Sequence, residues 1–149
     1  MLRRIVALLA LAGIFLSTYL ALYKFGMIGT LTCSVGSCET VQLSKWAMFL
    51  GVPVAAWGVA FYVAVFVLAM LSLARAGESP LVGWAMLAVT GWGVLFSAWL
   101  TWLELYVIHA ICMWCVVSAI LTAVIFVLVA LDKPWRVEHD AWSESGEPA

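Results

Sequence analysis

The sequence predicts an all-α integral membrane protein: a bundle of four transmembrane helices with a short interfacial helix in the first extracytoplasmic loop. Three observations carry that expectation. Hydrophobic residues make up 66% of the 149-residue chain and charged residues only 10%, against about 25% charged in ordinary soluble domains. Charge is absent from four long runs, residues 5–23, 46–74, 79–103 and 105–131, each long enough to approach or exceed the roughly 20 apolar residues that cross a bilayer. The Lys and Arg residues are also divided unevenly between the two ends of such a bundle. Arg3, Arg4, Arg75, Lys133 and Arg136 fall on one side, and only Lys24 and Lys45 on the other.

The first span is expected at about 5–23. A secretory signal peptide is the alternative, since Arg3 and Arg4 precede the apolar run. The run is too long for a signal h-region, however, and "STYLALYKF" offers no small-x-small cleavage site. A first outer loop follows, "MIGTLTCSVGSCETVQLSKW", in which Gly36 lends turn freedom between Cys33 and Cys38. Residues 39–50 read as the short interfacial helix, with Val41, Trp46, Met48, Phe49 and Leu50 interrupted by Gln42, Ser44 and Lys45. The remaining spans are expected at about 51–74, 80–103 and 109–131, with Pro53 in the first helical turn of the second. Residues 1–131 thus form one membrane domain, and 132–149 a polar cytoplasmic tail. Trp46, Trp102, Tyr106 and Trp114 would form an outer aromatic belt, and Trp84 and Trp135 would mark the inner boundary.

Because positive residues collect on the cytoplasmic side, both termini are expected in the cytoplasm and the protein in the cytoplasmic (inner) membrane. Nucleic acid is excluded as a partner, because no basic patch exists to bind it.

The four cysteines then fall on one face of the membrane. Cys33 and Cys38 lie in the first outer loop, and Cys112 and Cys115 just inside the fourth span. That side is the oxidising one, where thiols form disulfides. Residues three apart share a helix face, so Cys112 and Cys115 can meet as a dithiol or a disulfide. A thiol in the first helical turn is favoured as thiolate by unsatisfied N–H groups and the helix dipole. Cys115 would lie one turn deeper, nearer to any lipid-soluble partner. Two pairs at different depths suggest a relay.

Two other readings use the same sulfurs. Four cysteines with a CxxC spacing can hold zinc, although one of them would sit inside a membrane helix. They can also form two purely structural disulfides in a non-catalytic membrane protein such as a transporter subunit. Transporters carry ionisable groups within the membrane, and here only Glu104 and His109 are on offer, both near an edge. Glu104 reads as a solvated helix-end carboxylate, with proton conduction as the alternative. His109 reads as an interfacial histidine. Ser44 reads as polar filler, with a bond to a loop sulfur or a ligand as the alternative.

The runs "CSVGSCETVQLSKWAMFLGVPVAAWG" and "ICMWCVVS" resemble the vitamin K epoxide reductase family, in particular its bacterial disulfide-generating homologues. The resemblance covers about residues 16–129. It implies a four-helix bundle around a quinone, ubiquinone or menaquinone, near the outer surface. It implies catalytic roles for Cys33, Cys38, Cys112 and Cys115: Cys115 beside the quinone, Cys112 its disulfide partner, Cys38 exchanging with Cys112, and Cys33 meeting the partner protein. Ser44 matches the loop serine of the family, and with Cys115 it is the implied cofactor-binding residue. Many bacterial members carry a fused thioredoxin-like domain. Residues 132–149 are too short for one, so the expectation is a stand-alone form whose partner is a separate thioredoxin-fold protein outside the cytoplasm. The vertebrate enzymes place a tyrosine four residues after the last cysteine, where this chain has Ala119, and an asparagine that "GVPVAAWG" lacks. The resemblance therefore implies ordinary quinone reduction rather than epoxide chemistry.

Overall fold

The computed structural model describes residues 1–34, 36–74 and 79–132. Four long helices dominate it: α1 (Leu2–Lys24), α3 (Val54–Ala74), α4 (Pro80–Leu103) and α5 (Met113–Leu131), with a short α2 (Cys38–Leu43) between the first two. All four long helices are long and apolar enough to cross a membrane. Their outward faces carry exposed large side chains such as Phe15, Val67, Trp92, Leu95 and Val127. Such surface suits lipid, in which backbone groups must be satisfied within each helix. The chain is a multi-pass membrane protein with a helical bundle. Arg75, Lys133, Arg136, Trp135 and residues 133–149 of the expected tail lie outside the described residues.

Packing centres on α1. Its buried residues Val6, Ala10, Gly13, Ser17 and Leu20 step by four and three, which keeps one narrow stripe facing inward. Small side chains on that stripe let α3 come close, as membrane helix pairs require when no hydrophobic force drives them together. The Tyr62 ring lies where a Cβ on Gly13 would be, and Ser17 faces Gly58. Tyr62 is 1% exposed. Its hydroxyl contacts Ser118 Oγ (2.9 Å), Thr122 Oγ1 (3.0 Å) and the Ser118 carbonyl (3.0 Å), tying α3 to α5. Val6, Ala7, Ala10, Val65, Ala69, Met86, Ile125 and Val129 complete a core drawn from all four long helices.

At one end, Arg3 Nε pairs with Asp132 Oδ2 (2.7 Å) and Arg3 Nη1 donates to the Ser72 carbonyl (3.2 Å). The start of α1 and the ends of α3 and α5 are therefore neighbours. All four cysteines lie toward the opposite end.

Residues 39–50 do not form one interfacial helix. Ser44 is extended (φ −67°, ψ 154°) and ends α2, its hydroxyl donating to the Val41 carbonyl (2.7 Å). A 3₁₀ turn over Lys45–Ala47 leads into a hairpin that pairs Met48–Phe49 (β1) with Val52–Pro53 (β2). Both turn residues have positive φ, Leu50 at 53° and Gly51 at 77°, as a tight hairpin turn of matching twist requires. Pro53 is thus the last hairpin residue, and α3 starts one residue later. Phe49 packs edge-on against Trp57 of α3 and against Phe96 and Trp99 of α4, and the Trp57 indole N–H donates to the Phe49 carbonyl (3.1 Å). The hairpin therefore plugs into the seam between α3 and α4.

Candidate functional site

The loop cysteines come first. Cys33 is half-buried in irregular chain, and Cys38 opens α2 at 1% exposure. They are joined as a disulfide with Cα atoms 6.2 Å apart, within the usual span for such a bond. The loop is fastened by the very segment that carries the other two cysteines. Gly36 pairs antiparallel with Cys112, and the Ser37 N–H donates to the Ile111 carbonyl (2.8 Å). Gly36 has φ 90°, and a Cβ there would run into the Ile111 carbonyl oxygen, so only glycine suits the position. On the other side, the Trp114 indole N–H donates to the Thr32 carbonyl (2.7 Å). The Thr32 N–H in turn donates to the Tyr19 hydroxyl (3.1 Å), and the Tyr19 and Trp114 rings meet edge-on at 5.7 Å. Trp114, expected in an outer aromatic belt, pins the loop just before Cys33.

Cys112 and Cys115 are free thiols. Cys112 is extended (φ −98°, ψ 115°), caps the N-terminus of α5, and is fully buried. The hydrogen bond from the Cys115 side chain, helped by the backbone N–H groups of Cys115 and Trp114, holds the Cys112 thiol below its ordinary pKa, against burial and the charge of Glu104. Cys38 and Cys112 share one buried cluster with Leu20, Leu31 and Val41, and Cys33, Cys115 and Trp114 pack around it.

Glu104 is not the solvated helix-end carboxylate that the sequence suggests. It is 5% exposed. Its Oε2 accepts the Cys112 N–H (3.2 Å), and its carboxyl shares a hydrogen bond with the Cys115 thiol. The backbone explains the inward turn. Past α4 the chain widens into a single π-helical turn, Glu104–Ile108, closed by His109 at φ 53° and by the Ala110 N–H on the Glu104 carbonyl (3.1 Å). The wider turn keeps Glu104 inside while Leu105, Tyr106 and Val107 face outward. His109 itself is exposed.

Gln42 was not singled out by its sequence. It is 6% exposed, and its Nε2 lies 3.7 Å from Cys115 Sγ. Lys24 Nζ donates to the Gln42 carbonyl (2.6 Å) and holds the end of α2 against α1. The signal was available: Cys38, Val41 and Gln42 share one face of α2 and are all buried.

A cavity of about 690 Å³ opens beside Cys115, within the size range of small-molecule sites. Cys115, Glu104, Gln42 and Ser44 stand on its wall at the cysteine end, and Tyr62, Ser118 and Thr122 farther along. Trp57, Phe61, Phe96 and Trp99 supply flat apolar faces. Ser44 therefore lines the cavity, but its hydroxyl proton is engaged by Val41. Ala119 also lines it, so no tyrosine projects from that position. Aromatic walls with a few polar groups at one end fit a flat quinone ring of the kind the resemblance implies. Quinone chemistry there would supply acceptance of an electron pair and two protons.

The Vitamin K epoxide reductase family model matches the chain over residues 4–130.

Proposed function

We propose that this chain, which belongs to the vitamin K epoxide reductase family, generates disulfides outside the cytoplasm by passing electrons from a reduced thioredoxin-fold protein to a membrane quinone. Membership alone makes it a quinone-linked thiol oxidoreductase of the membrane. One observation carries the finer reading. An oxidised pair, Cys33–Cys38, is strapped against a reduced pair, Cys112 and Cys115, and the deeper thiol of the reduced pair lines a cavity of quinone size.

The steps follow from exposure. Cys33 is half-buried and Cys38 buried, so a partner thiolate attacks Cys33 and releases Cys38, and the second partner thiol completes the partner's disulfide. The freed Cys38 then attacks Cys112 of an oxidised Cys112–Cys115 pair and releases Cys115 as thiolate. Cys33 attacks Cys38 in turn, restoring the loop disulfide and freeing Cys112. The end state is an oxidised loop beside a reduced CxxC pair, the arrangement described above. A low Cys112 pKa favours the last of these steps, in which Cys112 is the leaving sulfur and a better leaving sulfur departs faster. Gln42 and Glu104 hold Cys115 toward the cavity.

The orientation proposed has both termini in the cytoplasm and the cysteine end outside, in the cytoplasmic membrane. Arg3, at the end away from the cysteines, supports that direction together with the Lys and Arg count. Ala119 on the cavity wall favours plain quinone over epoxide as acceptor.

The test is quinone reduction by the purified protein, followed by absorbance with a dithiol donor, using a ubiquinone and a menaquinone analogue. Turnover by wild type that is lost in Cys115→Ala is the expected result. Cys33→Ala should be impaired mainly toward a protein donor. No turnover by wild type with either quinone would leave the cysteines structural.

A further inference from the structure

We propose that Glu104 is the proton acceptor of the CxxC pair, the carboxyl that takes each thiol proton as Cys112 and Cys115 close their disulfide and passes it into the cavity. The inference deepens the thiol-to-quinone reading above and rests on it.

Three placements carry it. Glu104 is 5% exposed, and among the described residues the ion pair at hand is Arg3–Asp132, at the other end of the bundle. No Lys or Arg of those residues stands within ion-pair distance of Glu104. Of the two lysines at this end, Lys24 Nζ donates to the Gln42 carbonyl and Lys45 Nζ sits over the Trp46 ring, and His109 is exposed. A carboxyl so placed within a membrane domain is costly without a partner. Its partners are the reacting residues themselves: the Cys112 N–H on Oε2 (3.2 Å) and the Cys115 thiol. Glu104 also lines the same cavity as Cys115, so one carboxyl touches both the proton source and the space where the proton must go.

The chemistry balances through it. Closing the Cys112–Cys115 disulfide forms one S–S bond, breaks two S–H bonds and releases two electrons and two protons. Both electrons and both protons end on a quinone, reduced to the hydroquinone. One thiol proton moves first, along the hydrogen bond that joins Cys115 to Glu104. Once Glu104 has passed it into the cavity, the second follows by the same carboxyl. Glu104 ends each turnover ionised as it began.

A purely structural role has a different signature. An amide oxygen would accept the Cys112 N–H equally well, so Glu104→Gln keeps the clamp and removes only the proton transfer. The experiment uses the purified full chain as wild type, Glu104→Gln and Glu104→Asp. With a dithiol donor and a short-tailed ubiquinone analogue, Glu104→Gln should lose about 10²–10⁴-fold in kcat, the usual range for a general base, and Glu104→Asp should fall between. A second readout needs no quinone: the infrared difference between reduced and chemically oxidised protein. Wild type should show a carboxyl signal that changes with the redox state of the CxxC pair, absent in Glu104→Gln. Wild-type turnover in Glu104→Gln, or no carboxyl signal in the wild-type difference spectrum, would overturn the proposal. If Glu104→Gln fails to fold, read by its helical circular dichroism, the wild-type spectrum and Glu104→Asp decide. If wild type itself reduces no quinone, the thiol-to-quinone reading falls, and the infrared signal still reports whether Glu104 shares its proton with the thiols.

Discussion

The two ends of this bundle are built from the same four helices and packed to opposite purposes. At the Arg3 end, buried side chains from α1, α3, α4 and α5 interlock, with Ala7, Ala10 and Ala69 letting backbones approach and Val65 and Ile125 filling the centre. At the cysteine end, the buried members come from α1, the loop, α2 and the residue before α5: Leu20, Leu31, Val41, Cys38 and Cys112. Helices α3 and α4 contribute none of these, and the space they leave is the cavity beside Cys115. The contrast teaches that the closed half holds the helices together while the other half stays open for a ligand. In place of a core, backbone straps fix the reactive sulfurs there. A residue should therefore affect stability or electron transfer according to its half.

Ways to break that contrast can be ranked. The largest effect belongs to Cys115→Ala, which should reduce quinol formation to background and leave Cys33 and Cys38 reduced once a dithiol has reduced them, with no loss of stability, read by absorbance and by mass spectrometry of alkylated peptides. Ile125→Ala should do the reverse. It removes a fully buried side chain from the closed half, so it should cost about 2–5 kcal/mol in denaturant or thermal unfolding, with the residual folded protein still exchanging disulfides. Gly36→Ala should come next. It forces a Cβ into the Ile111 carbonyl at φ 90°, a strain of about 1–3 kcal/mol, and should slow transfer between the cysteine pairs, measured by stopped-flow alkylation. Trp114→Phe keeps a ring against Tyr19 and loses the hydrogen bond to Thr32. Its cost should be about 0.5–1.5 kcal/mol, seen as faster hydrogen exchange in the loop. The smallest belongs to Asp132→Asn, since the Arg3–Asp132 pair is partly exposed and such pairs contribute about 0–1 kcal/mol.

Much of the closed half was legible in the sequence. Gaps in charge marked the four spans, because a bilayer excludes charge more strictly than a soluble core does. The cysteines were legible too, since residue type and spacing announce thiol chemistry. The polar setting of Cys115 was not. Glu104 sits between two apolar spans, where a carboxylate ordinarily meets water, and only the π turn to His109 carries it inside. One extra residue in a helical turn leaves no mark in a hydrophobic pattern. Gln42 was hidden by the break at Ser44: read as one helix, residues 39–50 put it among polar interruptions, whereas α2 alone puts it on the Cys38 face. Tyr62 lay inside an apolar span, where its hydroxyl drew no notice until Ser118 and Thr122 came beside it.

The order of the relay is the central claim, and a single-turnover experiment addresses it most directly. Fully reduced protein would be mixed with a quinone, quenched at intervals with an alkylating reagent, and each cysteine pair scored by mass spectrometry. The expected result is oxidation of Cys112–Cys115 first and of Cys33–Cys38 after it, with neither pair oxidised in Cys115→Ala. Oxidation of the loop pair first, or equally fast in Cys115→Ala, would contradict a relay that reaches the quinone through Cys115.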